Sequence, residues 1–179
     1  ETEVFKKGKE LYGLHEVLNK NRNLKRMVVV EGYTDVLSLF SNDIPYAVAT
    51  LGIATSKNHL EKLFSHVDEV IFCFDGDEAG MKAAESAMKV ALPTIRDGRI
   101  LKFLFLPDSE DPSSLLEKEG KEQFEKRIDS SKVLSEYLFE IILNKYDETL
   151  ENKAAAAKEF LGLISSMPSS NYKNILVQE

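Results

Sequence analysis

Apolar residues along the chain change period several times, and each change marks a boundary between predicted elements. Met27-Val28-Val29-Val30 and Val70-Ile71-Phe72-Cys73-Phe74 are short runs without interleaved polar groups, the pattern of strands buried on both faces. Tyr46-Ala47-Val48-Ala49, after Pro45, predicts a shorter strand, and Ile100-Leu101-Lys102-Phe103-Leu104-Phe105-Leu106 a further one. Between these runs the period is helical. Tyr33, Val36, Leu37 and Phe40 fall at i, i+3, i+4 and i+7 and predict a helix packed on the sheet through that face. Leu60, Leu63, Phe64 and Val67 do the same for a helix capped by Ser56 or Thr55. From Glu78 onward Gly80, Ala84, Ala87, Met88 and Ala91 share a face whose small residues allow close approach; Pro93 stops this helix and Asp97-Gly98 turns the chain. Ahead of the first strand, Leu11, Leu14 and Val17-Leu18 recur at helical spacing. Strands alternating with helices predict an α/β fold with a mostly parallel sheet and right-handed crossovers.

Beyond Gly120 the strand pattern disappears. Leu134, Tyr137, Leu138, Ile141 and Ile142 predict one amphipathic helix, and Ala157, Phe160, Leu161 and Ile164 another. Met167-Pro168-Ser169-Ser170-Asn171 breaks the second before a last helical segment. These are packing stripes rather than cofactor sites. They set the expected division: a lead-in over 1–25, the α/β unit over 26–118 and a small helical subdomain over 119–179.

Charge narrows the partners. The chain carries a net −7, so contact with a polyanion has to rest on a local basic patch or on metal ions. The first 26 residues hold seven Lys or Arg against four Glu, and Lys6-Lys7-Gly8-Lys9 is the densest cluster. It is either a solvated surface or a grip on nucleotide or template phosphates. No stretch has the length and apolarity of a membrane span, nor does the amino-terminal segment have the pattern of a signal peptide. The single Cys73 sits inside an apolar run and reads as a packed thiol. Together these predict a cytoplasmic protein without membrane contact. The opening on Glu1 without a Met suggests a piece of a longer protein.

The chemistry lies where the strands stop. Val30 is followed by Glu31-Gly32, and Phe74 by Asp75-Gly76-Asp77. The fourth strand leads into Pro107-Asp108-Ser109-Glu110-Asp111-Pro112. In an open parallel sheet ligands bind in the crevice outside the carboxyl ends of the strands. Each acid also has a structural alternative. Asp77 and Asp111 stand where a helix cap is wanted, Pro112 being at the first helical position, and Asp35 falls in a first turn that favours a carboxylate. Two carboxylates about 4 Å apart repel by roughly 4 kcal/mol at an effective dielectric near 20, a repulsion that a divalent cation converts into binding. Oxygen ligands without nearby His or Cys select Mg²⁺ or Mn²⁺ over Zn²⁺. His59 has no partner at ligand spacing and reads as a surface or hydrogen-bonded residue. An EF-hand is excluded: Asp75, Asp77 and Gly80 match its first, third and sixth positions, but Ala79 and Ser86 occupy the fifth and twelfth. Acid-held Mg²⁺ with open positions is instead the arrangement for phosphoryl transfer.

Glu31-Gly32 and Asp75-Gly76-Asp77, each after an apolar strand, resemble the Toprim domain shared by bacterial primases, topoisomerases and several nucleases. The runs Val29 to Val36, Tyr46 to Gly52, Asp75 to Gly80 and Phe105 to Pro112 resemble the DnaG-type primase in particular, as does Phe5-Lys6-Lys7-Gly8 with Leu11-Tyr12-Gly13-Leu14. The resemblance implies a Toprim-like sheet followed by a helical subdomain, together forming part of the polymerase core of a DNA-directed RNA polymerase that makes short RNA primers. It implies that Glu31 is the general acid/base or metal-organising carboxylate, that Asp75 and Asp77 are catalytic, and that Asp75, Asp77 and Asp111 hold Mg²⁺ or Mn²⁺. Asp35, Gly32 and Gly76 would support the site, and Lys7 would meet nucleotide or template phosphates. Ser113 departs from the family, which often has an Asp there; a hydroxyl is a weaker ligand, so second-metal binding is expected to be weaker or shifted. The implied partners are single-stranded DNA template and ribonucleoside triphosphates. Replicative helicase and single-strand binding protein are expected to act through regions outside this chain, and zinc to belong to a domain outside it. The expected location is the nucleoid in the cytoplasm. A Toprim nuclease, or topoisomerase-like phosphodiester chemistry, is the alternative function. The chain alone is expected to be a weak or inactive enzyme.

Overall fold

The computed structural model describes residues 7–52, 54–147 and 149–178, the Lys7 side chain aside. Five strands form one sheet in the order β2-β1-β3-β4-β5. They are β1 (Arg26–Val30), β2 (Ala47–Ala49), β3 (Glu69–Phe74), β4 (Ile100–Phe105) and β5 (Lys132–Val133). The first four are mutually parallel, and β5 adds antiparallel to β4. Two residues of β5, too few to show a period, explain why the sequence pattern does not announce it. The helices are α1 (Leu14–Lys20), α2 (Tyr33–Ser41), α3 (Lys57–Phe64), α4 (Glu78–Ala91), α5 (Pro112–Asp129), α6 (Leu134–Lys145), α7 (Leu150–Ser165) and α8 (Asn171–Gln178).

Alternation along the strands sorts the core into two layers. Met27, Val29, Val70, Phe72, Phe74, Leu101 and Phe103 point to one side and pack with α3, α4 and the helical part. Val28, Val30, Ile71, Cys73 and Leu104 point to the other, onto α2 and α5. Cys73 is buried, as expected of a packed thiol, and burial pushes its pKa well up. The buried face of α4 is Gly80, Ala84, Ala87, Met88 and Ala91, as the spacing predicts.

Two expectations need correction, and a third is decided between its alternatives. The buried residues of α2 are Val36 and Leu39, whereas Tyr33 and Leu37 stand 56% and 53% exposed. The helix packs instead through a neighbouring arc, Val36 and Leu39 with the partly buried Phe40. On α7, Phe160 and Ile164 are buried but Leu161 is exposed, since a helix on the outside of a small bundle needs only part of its stripe. His59 is hydrogen-bonded but not at the surface: it is fully buried, its Nδ1 accepts from the Ser56 N–H at 3.3 Å, and Ser56 Oγ accepts from the His59 N–H at 3.1 Å. Ser56 rather than Thr55 is thus the cap of α3.

The helical part shares the sheet's core. Tyr137 of α6 lies with its ring centroid 4.6 Å from that of Phe103 and 5.1 Å from that of Phe105. Burial pushes the Tyr137 hydroxyl up to about 12. Asp97, in the turn before β4, reaches the start of α8 and accepts from the backbone N–H groups of Asn171 at 3.0 Å and Tyr172 at 2.8 Å. That carboxylate serves as a cap supplied from outside the helix. No described helix is long and apolar enough to cross a membrane.

Candidate active site

The strand order turns at β1, since β2 follows on one side and β3 on the other. This is the topological switch point of an open α/β sheet, where the loops diverge and leave a crevice. Val29 pairs with Phe72, so Glu31 at the end of β1 lies beside the end of β3, where Asp75 begins its turn. On the far side of β3, Phe74 pairs with Phe105, so the loop that leads to Asp111 neighbours the same turn. The sheet alone therefore brings the three acidic segments to one edge.

Two glycines set the separations. A Cβ on Gly76 would stand 2.2 Å from the Leu106 carbonyl oxygen and 2.4 Å from that of Pro107. A Cβ on Gly80 would stand 2.2 Å from the Asp75 carbonyl oxygen. Neither neighbour is a flexible side chain, so only glycine lets the Asp75-Gly76-Asp77 turn lie against the β4 loop and the first turn of α4.

Helix caps account for part of the acidity. Asp77 Oδ1 accepts from the Gly80 N–H at 2.7 Å, Asp111 Oδ1 from the Ser114 N–H at 2.7 Å, and Asp35 Oδ2 from the Gly32 N–H at 3.1 Å. Each of these bonds occupies one oxygen and fixes the direction of the other. Asp75 makes no such cap. Partial burial raises its pKa first, then the charges of Asp111 and Asp77. Glu31, exposed at the rim, is raised by desolvation and by Asp75, Asp77 and Asp35. Asp35 is raised by burial and by Asp111 and Asp75, against the lowering from its Gly32 bond. The charges of Asp77 and Asp111 thus bear on Glu31, Asp35 and Asp75 across three loops. Ser113 donates to Ser38 Oγ of α2 at 3.0 Å and ties α5 to α2.

Among the described residues, no three Asp, Glu, His or Cys side chains close on one point as a finished metal cage. The donor set is nonetheless carboxylate oxygen throughout, and its mutual repulsion is the kind that a hard divalent cation relieves. A site for such a cation would be open, its remaining positions left to substrate or water, and not a closed structural cage. Gly32 gives its N–H to Asp35, and Gly76 makes the close approach described above. Lys7 lies in a short turn over Lys7–Lys9 with its side chain outside the described part, and Lys6 lies outside the described residues.

Sequence reasoning missed a polar cleft beside Glu31. A cleft of about 430 Å³ contains Glu31 together with Thr50, Thr55, Lys82 and Ser86. Glu78, Lys82 and Ser86 recur every four residues along α4, a signal that was present beside the apolar stripe.

An acidic crevice at the switch point of this sheet defines a Toprim-type unit, and a family model described as Toprim-like matches residues 28–116. A second, described as the DnaB-helicase binding domain of primase, matches residues 135–179. The DNA primase of Pseudomonas aeruginosa is 47% identical over 180 residues, covering 99% of this chain and 27% of that protein. A solved structure of the DnaG catalytic core superposes with a TM-score of 0.96 at 45% identity, covering 99% of this chain and 58% of that one. The structure of a DnaG primase catalytic domain bound to single-stranded DNA gives a TM-score of 0.95 at 45% identity, covering 99% and 58%. The chain belongs to the DnaG-type primase family, and it spans under a third of the length of its Pseudomonas relative. The helicase-named match falls inside the chain, whereas the sequence reading placed helicase contact outside it.

Proposed function

We propose that this chain carries the nucleotidyl-transfer centre of a primase that makes short RNA primers on single-stranded DNA. The observation that carries the reading is the strand register that brings the segments of Glu31, Asp75-Gly76-Asp77 and Asp111 to one edge of a primase-type Toprim sheet. Asp75, Asp77 and Asp111 would hold Mg²⁺ or Mn²⁺, which when bound neutralises charge on the attacking and leaving oxygens. Glu31, with its raised pKa, is suited to take the proton of a primer 3′ hydroxyl as it attacks the α-phosphate of a ribonucleoside triphosphate, pyrophosphate leaving. Asp35, held by Gly32, orients α2 against this edge, and Lys7 would meet nucleotide or template phosphates.

On this reading residues 1–25 lead in from a basic subdomain, 26–118 are the catalytic unit and 119–179 the helical subdomain. Work at the replication fork places the protein at the nucleoid in the cytoplasm, with single-strand binding protein acting through regions outside the chain. The helical part is also the proposed contact for a replicative helicase, supported by the family match over residues 135–179. Retention of purified helicase by residues 1–179 tests that part; a chain that retains none assigns the contact elsewhere.

The catalytic assignment is tested by template-dependent ribonucleotide incorporation with the rest of the polymerase core present, comparing wild type, Glu31→Gln and Asp77→Ala. Both variants are expected to lose at least about a hundredfold, in line with removal of a group acting in the transition state. Activity that survives both changes overturns the assignment.

A further inference from the structure

Ile100, the first residue of β4, and Ile175 of α8 are 44% and 56% exposed, and both line one groove of about 490 Å³. The groove lies at the amino ends of the strands, away from the acidic edge. Leu101 and Leu134, buried beneath it, give it an apolar floor. Its walls are tied together, because the Asp97 carboxylate in the turn before β4 accepts from the Asn171 and Tyr172 N–H groups of α8. The groove is therefore formed before anything enters it.

Two cations border this floor. Arg96 and Arg99 both line the groove, and the Arg99 pKa is lowered by burial and then by the charge of Arg96. Arg99 is held in place: its Nη1 donates to the Thr94 carbonyl at 2.6 Å, and its guanidinium stands 4.9 Å from the Phe64 ring centroid. Arg96 is exposed and, among the described residues, has no ion-pair partner. Asp97, the acid of the lining, is already bonded to α8. On a chain of net −7, a pair of guanidiniums that repel each other beside an apolar floor is complementary to a carboxylate carried next to apolar side chains. A nucleic-acid strand would ask instead for a longer row of cations along its phosphates.

We infer that the groove between the start of β4 and α8 docks an acidic peptide segment of a partner protein, its apolar side chains seated between Ile100 and Ile175 and a carboxylate meeting Arg96. The groove is remote from the acidic edge, so this inference stands whether or not the proposed function does.

Anisotropy of a fluorescein-labelled peptide of repeated Asp-Leu-Asp-Phe, titrated with residues 1–179, reads the contact. Wild type is expected to bind it saturably. Arg96→Ala should raise the Kd about two- to fivefold, the loss of one exposed charge pair, and Arg96→Lys should recover part of it. Ile175→Ser should raise it about fivefold through lost apolar burial. Both side chains are exposed, so the variants should melt with the wild type. Unlabelled peptide with Asn in place of Asp, or Ser in place of Leu and Phe, should compete poorly. Absence of saturable binding overturns the inference, as does wild-type affinity in either Arg96→Ala or Ile175→Ser, or equal competition by the Asn peptide. Displacement of the probe by oligothymidylate overturns it in favour of a nucleic-acid strand. A wild-type dimer in sedimentation equilibrium that Ile175→Ser dissolves overturns it in favour of a second copy of this chain.

Discussion

At the residue scale the acidic edge works against the stability of the metal-free fold. Glu31, Asp35 and Asp75 all have pKa values raised above their ordinary range, so folding favours their protonated forms. Their contribution is most favourable below the unfolded carboxylate range near pH 4 and is lost as pH rises through the folded values. Asp75→Asn is therefore expected to raise the metal-free Tm at pH 7 by about 1–3 °C while removing most of the Tm increase that Mn²⁺ gives the wild type. Calorimetry with and without Mn²⁺ checks both signs; a variant that melts lower and still responds to Mn²⁺ contradicts the site. Gly76→Ala acts in the other sense. Its methyl would meet two backbone carbonyls, and overpacking of this kind costs about 1–3 kcal/mol, so denaturant unfolding should show that loss together with weaker Mn²⁺ binding. The type of these residues was legible in the sequence, since Asp-Gly-Asp after an apolar strand names the turn. The dual use of Asp77 and Asp111 as caps was legible only as an alternative, because capping and ligation ask for the same carboxylate at the same place.

At the element scale, what could be read depended on whether an element's partners lay near in sequence. The strands and the face of α4 followed from composition and period because the sheet surrounds them. Tyr33 and Leu37 fit the same helical period yet are exposed, since a stripe says that a face is apolar and not which arc of it meets the sheet. The start of α5 was legible in Asp111-Pro112, but its length was hidden by its charge and by Gly120, whose φ of 76° breaks it; Phe124 and Ile128 beyond the break are nevertheless fully buried. Asp97 shows the limit most clearly, because its partners at Asn171 and Tyr172 are more than 70 residues away. Hydrogen bonds from these N–H groups hold its carboxyl below the usual range. A depressed acid stabilises at neutral pH, and that contribution is lost as pH falls through the folded value. Asp97→Ala is accordingly expected to speed amide exchange across Asn171–Gln178 at pH 7 while leaving β3 unchanged. Equal protection of α8 in the two proteins would show that its packing, through Leu176, suffices without the cap.

At the scale of the whole molecule, the expected division at 118/119 meets a core that does not stop there. Phe72, Phe74 and Phe103 of the sheet belong to one cluster with Tyr137, Leu138, Phe160, Ile164 and Leu176 of the helical part. The aromatic contacts of Tyr137 with Phe103 and Phe105 lie at the centre of that junction. A shared core is expected to couple the acidic edge to the surface that the helicase-named family model covers, because loosening the helices would remove packing from the strands that lead to Asp75 and Asp111. Tyr137→Ala is expected to destabilise the chain by about 3–5 kcal/mol, the range for removing a buried aromatic ring. Tyr137→Phe, which keeps the ring, should cost far less. The more telling reading is cooperativity. Wild type should unfold in a single step when followed by far-ultraviolet circular dichroism and by probes placed separately in α7 and in β3. In Tyr137→Ala the α7 probe should melt first, and Mn²⁺ should raise only the β3 transition. If both transitions move together with Mn²⁺ in that variant, the two parts are joined by contacts other than this ring, and the route from the helical surface to the acidic edge does not run through Tyr137.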